Sequence, residues 1–398
     1  MRLTLVNQFY APDISPTAQL AASLAEHRAA AGDQLTVLTG RAGYLEGLAP
    51  PGTLQTGPGL RVRRVWTPDL GKSSVARRLL GYVTFLAGSL ARLVALPRQD
   101  VIVAMTTPPF VVLGALLHKA LHPRTRVVLW SMDCYPDAAE RFGELRPGGP
   151  VSRILRALNR MAFRHLDHVV SLDGAMEDLL LSQYAAAPGR PAHTIIPNWE
   201  RLSWFPAAEV EPWKGYADLP VDGRTVVLYL GNTGVGHRFD TVLEAGARLG
   251  DEVLFLFIGG GARWDELADA ARERRLTNVV FRGYVPKDET AAVMAGADGA
   301  LITLDERSLG VMSPSKLHAN LAAGLPILYV GPSGSNVDEA ITKEGCGHSL
   351  REGDVDGLVA AVRGLRDDPD VHTRSRRAFE EHYSDEAALP RWDAILEG

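Results

Sequence analysis

The chain has 398 residues, 46% hydrophobic and 22% charged, the proportions of a soluble globular protein long enough for two domains. The formal charge of -5 gives no global footprint for a nucleic-acid partner, although residues 1–200 hold 21 Lys and Arg against 15 Asp and Glu and the rest hold 21 against 32. Two cysteines, Cys134 and Cys346, have no metal-like spacing and argue against a disulfide framework, so a reducing, cytoplasmic setting is expected.

The opening "RLTLVNQF" reads as a strand, with no basic-then-apolar leader before it. A helical "TAQLAASLAEHRAAAG" follows and ends at Gly32. Further strands are expected at "QLTVLTG", "RVRRVW", "DVIVAMT", "RVVLWSMD" and "HVVSL". Apolar runs of this length, separated by helical patterns, predict buried parallel strands in βαβ units. From Pro191 to Gly223 the chain is rich in Pro and Trp and reads as a connection. The alternation then restarts with "TVVLYLGN", "EVLFLFIGGG", "NVVFRGYV", "GALITLD" and "PILYVGP". The fold class is therefore α/β, two Rossmann-like doubly wound domains. The expected division is an N-terminal domain over 1–200, a linker over 201–223, a C-terminal domain over 224–378, and a last helix over 379–398 crossing back to the first domain. Ligands of such sheets bind at the carboxyl ends of the strands, so an interdomain active site is expected.

The stretch "GVMSPSKLHANLAAGLPIL", Gly310 to Leu328, reads as loop, helix and strand. Ser313 suits the N-cap and Pro314 the first helical position, which puts Lys316 at the positive end of a helix. A cation there costs roughly 0.3–1 kcal/mol. A charge-assisted hydrogen bond returns roughly 1.5–3 kcal/mol, so Lys316 fits a bound phosphate, with Ser315 and the early amides beside it. The alternative is an ordinary capped helix whose lysine meets solvent. Gly231, Gly234 and Gly236 follow a strand in "LYLGNTGVGHRFD", ahead of His237 and Arg238, whose guanidinium could clasp a pyrophosphate. Gly259, Gly260 and Gly261 close another strand, and Arg282, Gly283 and Tyr284 a third.

In the first half, Asp133 stands just past a strand end in "LWSMDCYPDAAERFG", with Asp137 and Glu140 on the next segment. A carboxylate so placed can accept or orient the proton of an attacking hydroxyl. Thr106 and Thr107 end another strand and could contact hydroxyls. In "VARRLLGYVTFLAGSLARLVALPR", Leu79, Val83, Leu86, Leu90 and Leu93 fall on one helical face flanked by Arg77, Arg78, Arg92 and Arg98. Its uncharged core is too short to span a bilayer. The segment is either a buried helix or an amphipathic one that touches an anionic membrane.

The ordered set of "GN.G", "IG.G", "F.GYVP", "PSKL", "AAGLPI" and a late "GCG", with "TTPPF", "DCYPDAAERFG" and "IIPNW" in the first half, resembles the GT-B glycosyltransferases, family four. The most similar subgroup is the bacterial cell-surface polysaccharide enzymes of the colanic-acid and O-antigen fucosamine-transferase type. The resemblance implies a nucleotide-sugar donor, UDP-linked, in the second domain and a glycan or polyprenyl-diphosphate-linked acceptor in the first, with retaining transfer. It implies no tightly bound cofactor and no nucleic-acid partner. Gly231, Asn232 and Gly234 would then lie near the donor phosphates with Gly259 and Gly260, and Arg238 would be their cation. Gly283, Tyr284 and Val285 would lie near the base, and Ser313, Ser315 and Lys316 would hold the diphosphate. Asp133, Lys316 and Arg238 are the expected catalytic residues, and Ser15, Thr106, Thr107 and Asp137 the expected acceptor contacts. No metal site is expected.

Two departures stand out. The family's pair of glutamates eight positions apart is replaced by Val311 and Ala319, and its Gly-Gly opening loop by Ser15-Pro16. A nucleotide-sugar epimerase of similar form, or a nucleotide-binding protein without turnover, are the alternatives. A dinucleotide oxidoreductase is disfavoured, because "GNTGVG" lacks the G-x-G-x-x-G spacing.

Overall fold

The computed structural model describes residues 1–13, 15–41, 57–68, 75–185, 187, 191–205 and 210–398, without the side chains of residues 75, 76, 78 and 79. The described residues form two compact units. Met1–Pro197 with Gly310–Met312 and Leu389–Gly398 make the first, and Asn198–Leu309 with Ser313–Ala388 the second.

The first unit is built on β1 (Arg2–Val6), β2 (Gln34–Gly40), β3 (Leu60–Val65), β4 (Val101–Met105), β5 (Arg126–Trp130), β6 (His168–Ser171) and β7 (Ala192–Ile195). All pairs are parallel, in the order β3-β2-β1-β4-β5-β6-β7. Every residue of β4 is buried, as both faces of a doubly wound sheet require. Strand β7 lies inside the stretch expected as a connection, and Pro191 and Pro197 bracket it. The sheet reverses direction between β1 and β4. Crossovers from β3 to β4, β4 to β5 and β5 to β6 all step the same way, so right-handedness puts helices Val75–Ala95, Val112–Leu121 and Pro150–Phe163 on one face. The crossover from β1 to β2 puts helix Pro16–Ala30 on the other.

Leu389–Gly398 complete the first unit. Trp392 is fully buried with its ring 4.6 Å from that of Trp130. The buried Arg28 guanidinium donates to Asp33, Asp393 and Glu397 at 2.7–2.8 Å.

The second unit has β8 (Thr225–Asn232), β9 (Val253–Gly260), β10 (Val279–Arg282), β11 (Gly299–Thr303), β12 (Ile327–Val330) and β13 (Gly347–Leu350), in the order β10-β9-β8-β11-β12-β13. Direction reverses between β8 and β11. Strand β13 is absent from the sequence reading because "GHSL" carries no apolar run; register with β12 holds it instead. Residues 201–223, expected as a linker, belong to this unit, with Phe205, Tyr216 and Leu219 buried in its core. Positions 206–209 of that stretch lie outside the described residues.

Helix Val75–Ala95 does not present the face expected of it. Phe85, Ser89, Leu93 and the following Leu96 point inward, whereas Val83 and Leu90 are exposed. Gly88 sets this rotation, since a Cβ there would overlap Val65 of the sheet. The side chains of Leu79 and Arg78 are outside the described set. Among the described residues, no helix is long and apolar enough to cross a membrane.

Candidate functional site

The switch point of the second sheet, between the carboxyl ends of β8 and β11, is where a doubly wound unit receives its ligand. The structure brings Lys316 there. Its Nζ donates to the Asn232 carbonyl at 3.1 Å, meets Nε2 of His237 at 3.3 Å, and sits 4.8 Å from the centre of the Tyr229 ring. Nδ1 of His237 donates to the Thr303 carbonyl, at the end of β11, at 2.6 Å. That bond leaves Nε2 as an acceptor turned toward the ammonium. Burial, with Lys316 next in effect, pushes His237 down to about 3, so the ring is neutral. Burial also lowers the Lys316 ammonium to about 7. An ammonium carries three donors and two are used, so one N–H remains for a ligand.

Glycine makes room for this lysine. Gly231 has φ +124°, and a Cβ there would come within 3.3 Å of Lys316 Cε. A Cβ on Gly260 would stand 2.9 Å from the Tyr284 ring, which lies over the end of β9. Gly259 pairs in register with Gly231, and Gly260 with Asn232. Gly234 lies beside the Asn232 amide, and Gly283 has open space around it. Tyr284 is 61% exposed, whereas Val285 packs against the unit's core.

Three local expectations need correction. The helix after Ser313 starts at Lys316 and spans seven residues, Lys316–Ala322, with Ser315 rather than Ser313 as its cap and no capping side-chain bond. Lys316 itself opens the first turn. Ser313 and Pro314 belong to the approach, because the chain only leaves its strand-like pairing at Met312. Arg238 does not join the lysine: its exposed guanidinium pairs with Asp240 at 3.0 Å and approaches Glu352 at 3.9 Å. The cation that holds the glycine loop is Arg263, whose Nη1 donates to the His237 carbonyl at 2.7 Å. Neither His237 nor Arg263 was among the expected site residues. The only hint was His237 standing directly after the third glycine.

In the first unit, Thr106 ends β4 and its Oγ1 accepts the backbone N–H groups of Met132 and Asp133 at 2.9 and 3.1 Å. This fixes the turn after β5. Asp133 pairs with Met312 as an antiparallel bridge, and Cys134 donates to the Val311 carbonyl at 2.9 Å. Burial raises the Asp133 carboxyl to about 6, inside the range useful for proton transfer. The Thr107 carbonyl accepts from the Gln8 amide at 2.8 Å, and Thr107 is half-buried. Ser15 is buried, and its N–H donates to Asp13 at 2.8 Å.

Asp137 is not free to meet an acceptor. It is 4% exposed, with one oxygen on Arg156 at 2.6 Å and the other taking the Tyr184 hydroxyl. Glu140 shares Arg156. At the two positions of the glutamate pair, Val311 is fully buried and Ala319 packs against the second core. Among the described residues, one group of side chains could chelate a cation: Glu344, Glu381 and His382, none of them an expected site residue. The Lys343 ammonium, 3.4 Å from His382, opposes it.

Two parallel doubly wound sheets, each with one switch point, and a lysine among glycines at the second of them, define a tandem Rossmann-like architecture with a ligand-binding edge. Residues 17–199 match the model of the glycosyl transferase 4-like domain, and residues 224–368 match that of the glycosyl transferases group 1. The chain belongs to the GT-B glycosyltransferases, family four.

Over its whole length the chain is 26% identical to all of WcaI of Escherichia coli (strain K12), assigned as a colanic acid biosynthesis glycosyl transferase. Over 75% of its length it is 26% identical to 74% of WbjE of Pseudomonas aeruginosa, assigned as a glycosyltransferase. The crystal structure of Anabaena Alr3699/HepE in complex with UDP and glucose has a similar fold. It superposes with a TM-score of 0.71 at 13% identity, covering 100% of both chains.

Proposed function

We propose that the chain transfers a sugar from a nucleoside-diphosphate sugar, UDP-linked, to a glycan or polyprenyl-diphosphate-linked acceptor. The setting is assembly of a bacterial cell-surface polysaccharide at the inner face of the cell membrane, with retention of anomeric configuration. The observation that carries the reading is the half-buried ammonium of Lys316, held by the Asn232 carbonyl and a neutral His237 with one N–H to spare. A cation so placed, among glycines that admit a ligand to the backbone, suits a diphosphate. The UDP donor is supported by the HepE complex and the polysaccharide setting by WcaI.

In this reading Gly231, Asn232, Gly234, Gly259 and Gly260 form the floor under the donor phosphates, Ser313 and Ser315 flank them, and Tyr284 with Gly283 meets the base. The bond from the anomeric carbon to the diphosphate oxygen breaks as the acceptor oxygen bonds to that carbon. Negative charge grows on the leaving diphosphate, where Lys316 offsets it. The acceptor's proton passes to the leaving diphosphate or to Asp133, which orients the hydroxyl. Thr106 positions Asp133 through the backbone. With Val311 and Ala319 at the glutamate positions, no carboxylate from them reads the sugar hydroxyls.

The test is UDP release from a panel of UDP-, GDP- and ADP-sugars, with and without polyprenyl-diphosphate-linked glycans, by wild type and Lys316→Ala. UDP release dependent on acceptor and lost in the variant supports the reading. Conversion of a UDP-sugar to its epimer without UDP release contradicts it.

A further inference from the structure

Of the thirteen large apolar side chains that the described residues expose, nine lie on helices Val75–Ala95, Val112–Leu121 and Pro150–Phe163 of the first unit. Those helices line one face of one sheet, and consecutive ones touch. Gly114 closes the first contact, since a Cβ there would stand 3.6 Å from Leu90 Cδ1. This brings the outward Leu90 and Val94 beside Leu117 and Leu121, one and two turns further along from Gly114. On the third helix Ile154 is 60% exposed, and on the first Val83 is equally so. Apolar side chains left exposed on three adjoining helices give this face the character of an interaction surface.

The charge on the patch is of one sign. The three helices contain no Asp or Glu. Arg92, Arg153, Arg160 and Arg164 are exposed and make no ion pair among the described residues. At its rim Asp100 is paired with Arg98 and Asp167 with Lys119, and Arg156 on the third helix takes up Asp137 and Glu140.

We infer that this three-helix face of the first unit docks on an anionic lipid surface, with its leucines and valines in the headgroup–acyl boundary and its arginines against lipid phosphates. Apolar side chains set between unpaired arginines, on helices that lie along a surface and do not span it, are the composition that interfacial helices use. A second copy of this chain fits poorly: a two-fold interface would press this positive, acid-free face against itself. The inference rests on the fold of the first unit, not on the donor reading, so membrane binding and UDP binding can fail separately.

The test is co-sedimentation of the full chain with vesicles of phosphatidylcholine alone and of phosphatidylcholine with an equal amount of phosphatidylglycerol. The wild type should pellet with the anionic vesicles only, and less as salt rises. Val83→Glu/Ile154→Glu and Arg153→Glu/Arg160→Glu should each lower that partition by about tenfold or more. All four positions are solvent-exposed, so melting temperature and UDP binding should stay at wild-type values in both variants. The inference is overturned if the wild type stays in the supernatant, or if the variants pellet equally well. It is also overturned if sedimentation shows that the face joins two copies, or if the patch captures an acidic protein in preference to the vesicles.

Discussion

Nζ of Lys316 stands 3.3 Å from Nε2 of a histidine, His237, whose other nitrogen is committed to the Thr303 carbonyl. The imidazole can only accept, so it holds the ammonium without competing for its charge. The same carbonyl of Asn232 receives both Lys316 and the Tyr229 hydroxyl, using both lone pairs. The lysine is thus aimed before a ligand arrives, which cuts the ordering cost of binding one.

Gly231→Ala tests this geometry. The φ of +124° disfavours any side chain, and the new methyl would press on Lys316 Cε. The variant should lose about 1–3 kcal/mol of stability in thermal or urea unfolding. Its UDP affinity should fall as well if the displaced lysine is, as proposed, the one that meets phosphate.

Lys316 also sets a pH dependence. Burial holds its ammonium at about 7 in the free protein, and a diphosphate in contact would raise it. Below about 7 the lysine is already charged, so binding is insensitive to its titration. Above 7 binding must take up a proton, and the UDP dissociation constant should rise by up to about tenfold per pH unit until the raised value is reached. Calorimetry in buffers of differing ionisation enthalpy should show proton uptake approaching one per site above neutrality, and little below.

Asp133→Asn should separate stability from turnover. The carboxyl titrates near 6 in the folded protein and near 3.9 unfolded, so its ionisation opposes folding. That cost is fully present above about 6 and vanishes below about 4. The asparagine variant should therefore be more stable by about 1–2 kcal/mol at neutral pH, with the gain disappearing in acid. If Asp133 orients the acceptor hydroxyl, kcat should fall about 10²-fold or more while UDP affinity is unchanged.

Arg156→Ala should unfold the first unit more readily without touching donor binding. Removing it leaves Asp137 and Glu140 without their cation, and Asp137 is almost fully buried. Breaking such a pair costs about 3–5 kcal/mol. UDP affinity of the folded variant should match the wild type. An Asp137 that contacted acceptor would instead show a raised acceptor KM with normal stability.

Much of the architecture could be read from local pattern. Runs such as "VLFLFIGG" and "VIVAM" are buried on both faces and announce themselves as central parallel strands. Edge strands do not: β13 is formed by "GHSL" and β7 by "AHTI", where pairing with a neighbour outweighs weak patterning. The glycines and Lys316 stood out because their types are costly unless a ligand or a close neighbour needs them. His237 and Arg263 did not, because the role of the first depends on the β8 and β11 ends lying side by side and that of the second on the β8 and β9 ends. Asp137 misled for the converse reason: its Arg156 and Tyr184 partners are 19 and 47 residues away in sequence. The rotation of helix Val75–Ala95 was likewise set by Gly88 against the sheet, which its own periodicity does not reveal.

The most direct measurement is a calorimetric titration of UDP, with GDP, ADP and NAD alongside, into the wild type and Lys316→Met, which keeps the side-chain length and removes the charge. The wild type should select UDP, and the variant should bind it about tenfold or more weakly, the loss expected for one charge-assisted hydrogen bond. Equal affinity in the two proteins, or a wild type that binds NAD and not UDP, would contradict the assignment of the β8–β11 switch point as the donor-diphosphate site.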